Sequence, residues 1–428
     1  MEIMLERNIS RLKFKHDEAI MDSIRGDEKY LLSMLTFDII LNIFSRLSPE
    51  EILTCRLALK RSWRQIFKLT HFSDLHLQRM NMNGSLQLKQ QQQQPEKSNG
   101  AISKVSFLFL EMEKSSPLWY FEYDEIKNTY FLKRVNHPLI KKRSHHSYAL
   151  VGSCNGLVCF CLASTHKIDD PVSIYNPITR EFLYLPRFKI PSEFFEGTYK
   201  GGKSYLKCYM ASGFGYHPSS GEYKIVRIFY GDNKQAVGRV QVYTLGTREQ
   251  WRNKGEITYS FGPGYGSFRG MHVDGFLYWL DNKVWKIVAF DLGVEEFILL
   301  PAPPCYAATG FNSFRLQVIG GCLCVVKENL QMGIDIWSFK KENNEWESML
   351  KIKINLEGRL DVNRPITILK NGGVLLRYVS FLVRYDTKTA TWEKFLLRDS
   401  GFVEAIPHVH SFVSLKALEH NTMKRKRR

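Results

Sequence analysis

The chain has 428 residues, room for two or three domains of ordinary size. Its 44% apolar and 24% charged residues form a globular balance that excludes a wholly disordered or collagen-like chain. Lysine and arginine outnumber aspartate and glutamate by 60 to 43, and the resulting +17 suits an acidic partner, nucleic acid or simply a soluble basic surface.

Residues 1–30 are charged and weakly patterned, which predicts a frayed extension without the apolar run of a secretory signal. A helical module follows over 31–78. Ile39, Ile40, Ile43, Phe44 and Leu47 form an apolar helical stripe that Thr36 can cap. Ser48-Pro49-Glu50-Glu51 reads as a capping box with proline at the first helical position. It opens a second helical pattern through Ile52, Leu53, Leu57, Trp63, Ile66 and Phe67. Residues 79–103, with Gln90 to Gln94 at their centre, carry too few apolar side chains for a core and read as a linker.

Aromatic residues make up 13% of the chain, which favours strands, and beyond the linker they recur with regular spacing. An aromatic followed by a turn-forming polar residue stands at Tyr123-Asp124, Tyr175-Asn176, Tyr243-Thr244, Phe290-Asp291, Trp337-Ser338 and Tyr385-Asp386. A second aromatic follows each, at Tyr130, Phe182, Trp251, Phe297, Trp346 and Trp392, as in a hairpin whose strands face one core. Upstream lie Asn155-Gly156, Ser220-Gly221, Asp274-Gly275, Gly320-Gly321 and Asn371-Gly372, tight-turn pairs that each precede an apolar strand. Four strands per repeat of about 50 residues mean a propeller, and six units over 104–418 predict six blades. The first unit is the least regular, and Val409 to Leu415 is expected to complete it.

Several local patterns invite chemistry. Gly197 to Ser204 matches a phosphate-binding loop formally but lacks the flanking strand and helix, so it reads as a basic loop between blades. Lys141 to His146 reads as a solvated basic loop, Asp169-Asp170 as a turn, and Gly262 to Gly266 as a blade connection. The eight cysteines lack paired CxxC spacing and are expected as reduced, mostly buried thiols. No catalytic signature, cofactor site or metal site is expected. The longest uncharged stretch, near Ala149 to His166, is interrupted by Gly152, Ser153, Asn155 and Gly156 and does not read as a membrane span. The closing 419–428 segment ends in the basic run Lys424 to Arg428, which fits a nuclear signal.

The run Leu35 to Leu47, then Ile52-Leu53, then Lys60 to Arg64, resembles the F-box, with Thr36 where the family has proline and one extra residue near Lys60-Arg61. The phrases Gly152 to Val158, Tyr175 to Arg180, Gly213 to Tyr216, Tyr223 to Arg227 and Phe290 to Gly293 resemble, in order, the plant F-box-associated interaction domain. The ending His408 to Leu415 is similar to that of S-locus F-box-like members. The resemblance implies a small all-α F-box module followed by an all-β propeller. It implies the substrate receptor of a Skp–cullin–F-box ubiquitin ligase, acting in nucleus or cytoplasm without chemistry of its own. Leu35, Ile39, Ile40, Ile43, Leu47, Pro49, Ile52 and Leu53 would then serve docking to a Skp-type adaptor, and through it cullin and RING subunits, as well as the module's own core. An unknown protein substrate would meet loops near 187–205, 262–270 and 302–311, with Lys200, Lys203, Tyr265 and Arg269 as candidates. The competing reading is a nuclear, nucleic-acid-binding β protein. It rests on +17 and the basic tail, but the basic residues are scattered rather than interleaved with aromatics.

Overall fold

The computed structural model describes residues 36–59, 63–69, 71–80, 104–111, 117–138, 147–163, 170–189, 208–231, 237–247, 250–261, 268–281, 286–305, 314–329, 333–352, 364–378, 381–395 and 402–419. The chain divides into two compact units, Met1–Ala101 with His410–Ala417, and Ile102–Val409 with Leu418–Arg428.

In the first unit, helix α1 (Phe37–Phe44) starts directly after Thr36, whose backbone is extended but whose side chain makes no capping hydrogen bond. Helix α2 (Pro49–Ala58) begins with the expected capping box. The Ser48 hydroxyl accepts from Glu51 N–H, and the Glu51 carboxylate accepts from Ser48 N–H at 2.7 Å. The second apolar pattern is not one helix: α2 ends at Ala58, and Trp63–Lys68 forms a separate 3-10 turn. A further helix, α3, spans 71–80.

The second unit is β-structure in a propeller-like arrangement. Its strands are β1 (Lys104–Glu111), β2 (Leu118–Asp124), β3 (Thr129–Val135), β4 (Ser147–Cys154), β5 (Leu157–Ala163), β6 (Pro171–Tyr175), β7 (Phe182–Tyr184), β8 (Tyr209–His217), β9 (Glu222–Tyr230), β10 (Gly238–Thr244), β11 (Arg252–Ile257) and β12 (Arg269–Val273). They continue as β13 (Phe276–Leu280), β14 (Ile287–Asp291), β15 (Phe297–Leu299), β16 (Phe314–Ile319), β17 (Cys322–Asn329), β18 (Gly333–Lys340), β19 (Glu345–Ile352), β20 (Arg364–Ile368), β21 (Val374–Tyr378), β22 (Phe381–Asp386), β23 (Thr391–Phe395) and β24 (Phe402–Pro407). Among the described residues they form four four-stranded sheets and one eight-stranded sheet, ordered β11-β10-β9-β8-β12-β13-β14-β15. The large sheet is two antiparallel runs joined by a short parallel pairing, Arg269 to Ser212 and Gly270 to Gly213. Glycine at both positions of the second pair makes room for side chains of β13. A Cβ at Gly270 would stand 2.5 Å from the Trp279 ring, and one at Gly213 would stand 2.9 Å from Leu277.

The aromatic repeat is the third and fourth strand of each run. Tyr123 pairs across the ladder with Tyr130, Tyr175 with Phe182, Phe290 with Phe297 and Tyr385 with Trp392. One member is out of phase: Trp337 faces Ser348, and Phe339 is the residue opposite Trp346. Of the tight turns, Asn155-Gly156, Asp274-Gly275 and Gly320-Gly321 have positive φ at both positions, as a type I′ turn requires. In Ser220-Gly221 and Asn371-Gly372 only the glycine does, and those loops are longer.

The last strand does complete the first sheet, but a different segment supplies it. β24 lies beside β1 in the order β24-β1-β2-β3, with Phe107 opposite Pro407 and Leu108 opposite Ile406. Val409 to Leu415 is not a strand, and from His410 the chain belongs to the helical unit.

Polar pins cross the seams between successive runs. Arg227 on β9 donates to Asp170 Oδ1 at 3.0 Å, stacks over the Trp251 ring at 3.7 Å and donates to Gln241 at 2.9 Å. Both charges are buried, so burial pushes the Asp170 carboxyl up and holds the Arg227 guanidinium down at about 10. Asp170 is therefore a buried ion-pair partner rather than a simple turn residue. At the next seam Glu295 collects three cations: Lys224 at 2.9 Å, Lys254 at 2.6 Å and Arg252. Burial opposes the Glu295 charge, but the hydrogen bonds from Lys254 and Lys224 outweigh it and hold the carboxyl below its usual range. Arg384 reaches from β22 to Tyr123 at 2.9 Å, and Tyr175 donates to the Asn136 carbonyl at 2.7 Å.

Candidate functional site

Helix α1 separates packing from presentation. Ile40, Leu41 and Phe44 are buried, and with Ile52, Ile66, Phe67 and Phe72 they make the core of the helical unit. Ile39 and Ile43 stand four residues apart on the same side of the helix and are 46% and 42% exposed. Of the other residues expected at this site, Pro49 and Ile52 are buried and Leu47 and Leu53 are half-buried. Leu35 lies outside the described residues. The docking set thus divides: Ile40, Pro49 and Ile52 are core, and Ile39 and Ile43 are offered to solvent. Leu57 on α2 is also exposed.

Two residues of α3 hold α1 in place. Arg79 donates to the Asn42 carbonyl at 2.6 Å and to the Ser45 hydroxyl, placing a cation at the helix C-terminus where the backbone dipole favours it. His76 is buried and sits 3.1 Å from the Leu47 carbonyl through Nε2. Burial, with a smaller push from Arg79, lowers the affinity of its ring for a second proton. The expected module of 31–78 includes His76 without giving it a role, and Arg79, expected in the 79–103 linker, is instead part of helix α3. The signal was present as Phe72, Leu75, His76 and Arg79, an i, i+3, i+4, i+7 pattern whose polar members hid it.

The expected substrate residues are not brought together. Arg269 lies at the start of β12 and is half-buried. Lys200, Lys203 and Tyr265 lie outside the described residues, as do the Gly197–Ser204 loop, the basic loop 141–146, the glycine-rich 262–266 segment, the glutamine run and the tail 424–428. Among the described residues no group of three or more His, Cys, Asp and Glu side chains is placed to hold a metal ion, and no helix is long and apolar enough to cross a membrane. None of the eight cysteines, all of them among the described residues, is in a disulfide. Burial pushes Cys154 up to about 12 and Cys305 to about 11, away from thiolate chemistry at neutral pH. The isoleucine pair offers exposed apolar area on one side of α1.

Residues 104–370 match the model of the F-box associated beta propeller domain. The F-box protein At3g07870 of Arabidopsis thaliana is 27% identical over 410 residues, covering 85% of this chain and 88% of that one. The F-box/kelch-repeat protein At3g23880 of the same plant is 27% identical, covering 56% of this chain and 61% of its own. The Arabidopsis F-box protein CPR1 is 23% identical over 75% of this chain and 74% of its own. With four-stranded sheets over the matched span and a helical unit before it, the chain belongs to the plant F-box proteins that carry an F-box-associated β-propeller domain.

Proposed function

We propose that this protein is the substrate-receptor subunit of a Skp–cullin–F-box ubiquitin ligase. The observation that carries the reading is the pair Ile39 and Ile43, exposed on one side of α1 while their neighbours Ile40 and Phe44 are buried. A large apolar side chain gains about 1.5–3 kcal/mol when fully buried, and two together make a docking ridge for an apolar groove on an adaptor. The propeller would hold the substrate, and the ligase assembly would make ubiquitin transfer effectively intramolecular. This chain would supply proximity and no catalytic group.

Six blades fit the same reading. The eight-stranded sheet resolves into β8–β11 and β12–β15, each with the strand order of the four-stranded sheets, and only a two-residue pairing joins them. Residence in nucleus or cytoplasm suits such a ligase, and the tail Lys424 to Arg428 supplies a basic signal for the former.

The test is co-purification with a Skp-type adaptor. Ile39→Asp with Ile43→Asp should abolish capture, because a carboxylate buried without a partner costs several kcal/mol at an apolar interface. Both positions are exposed in the free protein, so its circular dichroism and melting should be unchanged. Full adaptor retention by this variant overturns the reading.

A further inference from the structure

The helical unit contains a segment from the far end of the chain. Phe412, 2% exposed, lies with its ring centroid 5.8 Å from that of Phe72 and 5.4 Å from that of His76, edge-on to the imidazole. The Ser73 hydroxyl donates to the Phe412 carbonyl. Ser411, Val413 and Leu415 around it are buried as well. The segment is irregular as far as Ser414 and then enters a short helix over 415–419, and its serines satisfy its own backbone: Ser411 Oγ accepts from Val413 N–H at 3.3 Å, and Ser414 Oγ, at the helix start, from Ala417 N–H at 3.2 Å.

Phe412 ends a continuous aromatic file. Phe44 of α1 meets Phe67 at 5.1 Å, Phe67 meets Phe72 at 5.3 Å, and Phe72 meets Phe412, each of the first two contacts edge-to-face. The file therefore runs from the helix that displays Ile39 and Ile43 to the C-terminal segment. α3 is the link. It contributes Phe72, Ser73 and His76 to the Phe412 seat, and His76 and Arg79 to the C-terminal end of α1.

We propose that Phe72, Ser73 and His76 form a binding site for an apolar peptide segment, that its ligand is this chain's own His410–Ala417, and that α1 holds its presenting position only while the site is filled. Among the described residues the Phe72 ring is covered by Phe67 from within the helices and by Phe412 from the C-terminal segment, and small modules bury too little to tolerate loss of such a contact. Emptying the seat exposes His76 and Phe72 to water, frees α3, and removes the groups that fix the end of α1. The consequence for adaptor capture rests on the docking function proposed above; the occupancy of the seat does not.

Hydrogen exchange on the full-length chain tests this without any partner. In Phe412→Asp, amide protection in α1 and α3 should fall about tenfold or more, with β1, β2 and β24 unchanged. Phe412→Leu, which keeps the apolar fill, should retain protection. A synthetic peptide spanning residues 408–419, added to Phe412→Asp, should restore protection in the helices. Unchanged helix protection in Phe412→Asp overturns the proposal. So does loss of protection in the strands as well, in both Phe412→Asp and Phe412→Ala, because the segment would then support the propeller. Adaptor capture is measured in parallel. If the wild-type chain captures no adaptor while Phe412→Asp still loses helix protection, the docking reading falls and the filled seat stands.

Discussion

Arg227 shows how one side chain can serve packing and charge together. Its guanidinium lies over Trp251, its Nη1 meets Asp170, and its Nε meets Gln241, all in a setting with almost no water. Removing one member of a buried pair leaves the other charge uncompensated, which typically costs about 3–5 kcal/mol, whereas replacing both with apolar residues can be nearly neutral. Asp170→Ala is therefore expected to destabilise the propeller by about that amount in urea unfolding, and Asp170→Leu with Arg227→Met should recover most of it. A single replacement losing less than about 1 kcal/mol, or a double replacement as costly as the two singles added, would mean that the pair is not a pin. No local pattern in the sequence announces this contact. The partners are far apart in the chain, and Asp169-Asp170 before Pro171 has the composition of a turn.

The turns between the third and fourth strands repeat one device. Asp124, Asn176, Asp291 and Asp386 each accept two backbone N–H groups from the loop through Oδ1, and the residue four positions on has positive φ: Asn128, Arg180, Glu295 and Ala390. The left-handed conformation costs an ordinary residue about 1–2 kcal/mol and glycine nothing, although glycine loses part of that in chain entropy. Ala390, at φ 55°, has no side-chain polar group to compensate. Ala390→Gly should raise propeller stability by about 0.5–1 kcal/mol, and a lowered melting temperature would contradict that account. The hairpins were legible because this chemistry is local: an aromatic, a polar turn residue and a second aromatic. The one phase error has a local cause too. Trp337 and Phe339 are two apart on one strand and point to the same face, and the hairpin closes at Lys340 opposite Glu345, which puts Phe339 rather than Trp337 across from Trp346. In the helical unit periodicity found the stripe but could not say which half of it faces outward. Ile39 and Ile40 are equivalent to a pattern, and only the folded unit separates them, burying Ile40 and leaving Ile39 46% exposed.

Over the whole molecule, the C-terminal run does two things in succession. It supplies β24 to the first sheet and then Phe412 to the helical unit. The closing strand lies several residues before the expected Val409 to Leu415, and periodicity does not separate the two, since both segments are rich in apolar residues and neither alternates. A chain ending at residue 401 would leave β1 with an unpaired edge beside β2. It is expected to aggregate, read as loss of the monomer peak in gel filtration, and a monomeric, cooperatively melting product would show that the ring does not need β24. The pairing of Phe107 with Pro407 also sets an order of events in folding. The two strands are separated by roughly 300 residues, so their contact is of the kind that slows folding most. The entropy of closing so long a loop rises only with the logarithm of its length, so the burden falls on rate more than on final stability. Hairpins can form early from neighbouring residues, whereas the ring fastens last, leaving the unfastened chain with its longest exposure to mispairing at β1.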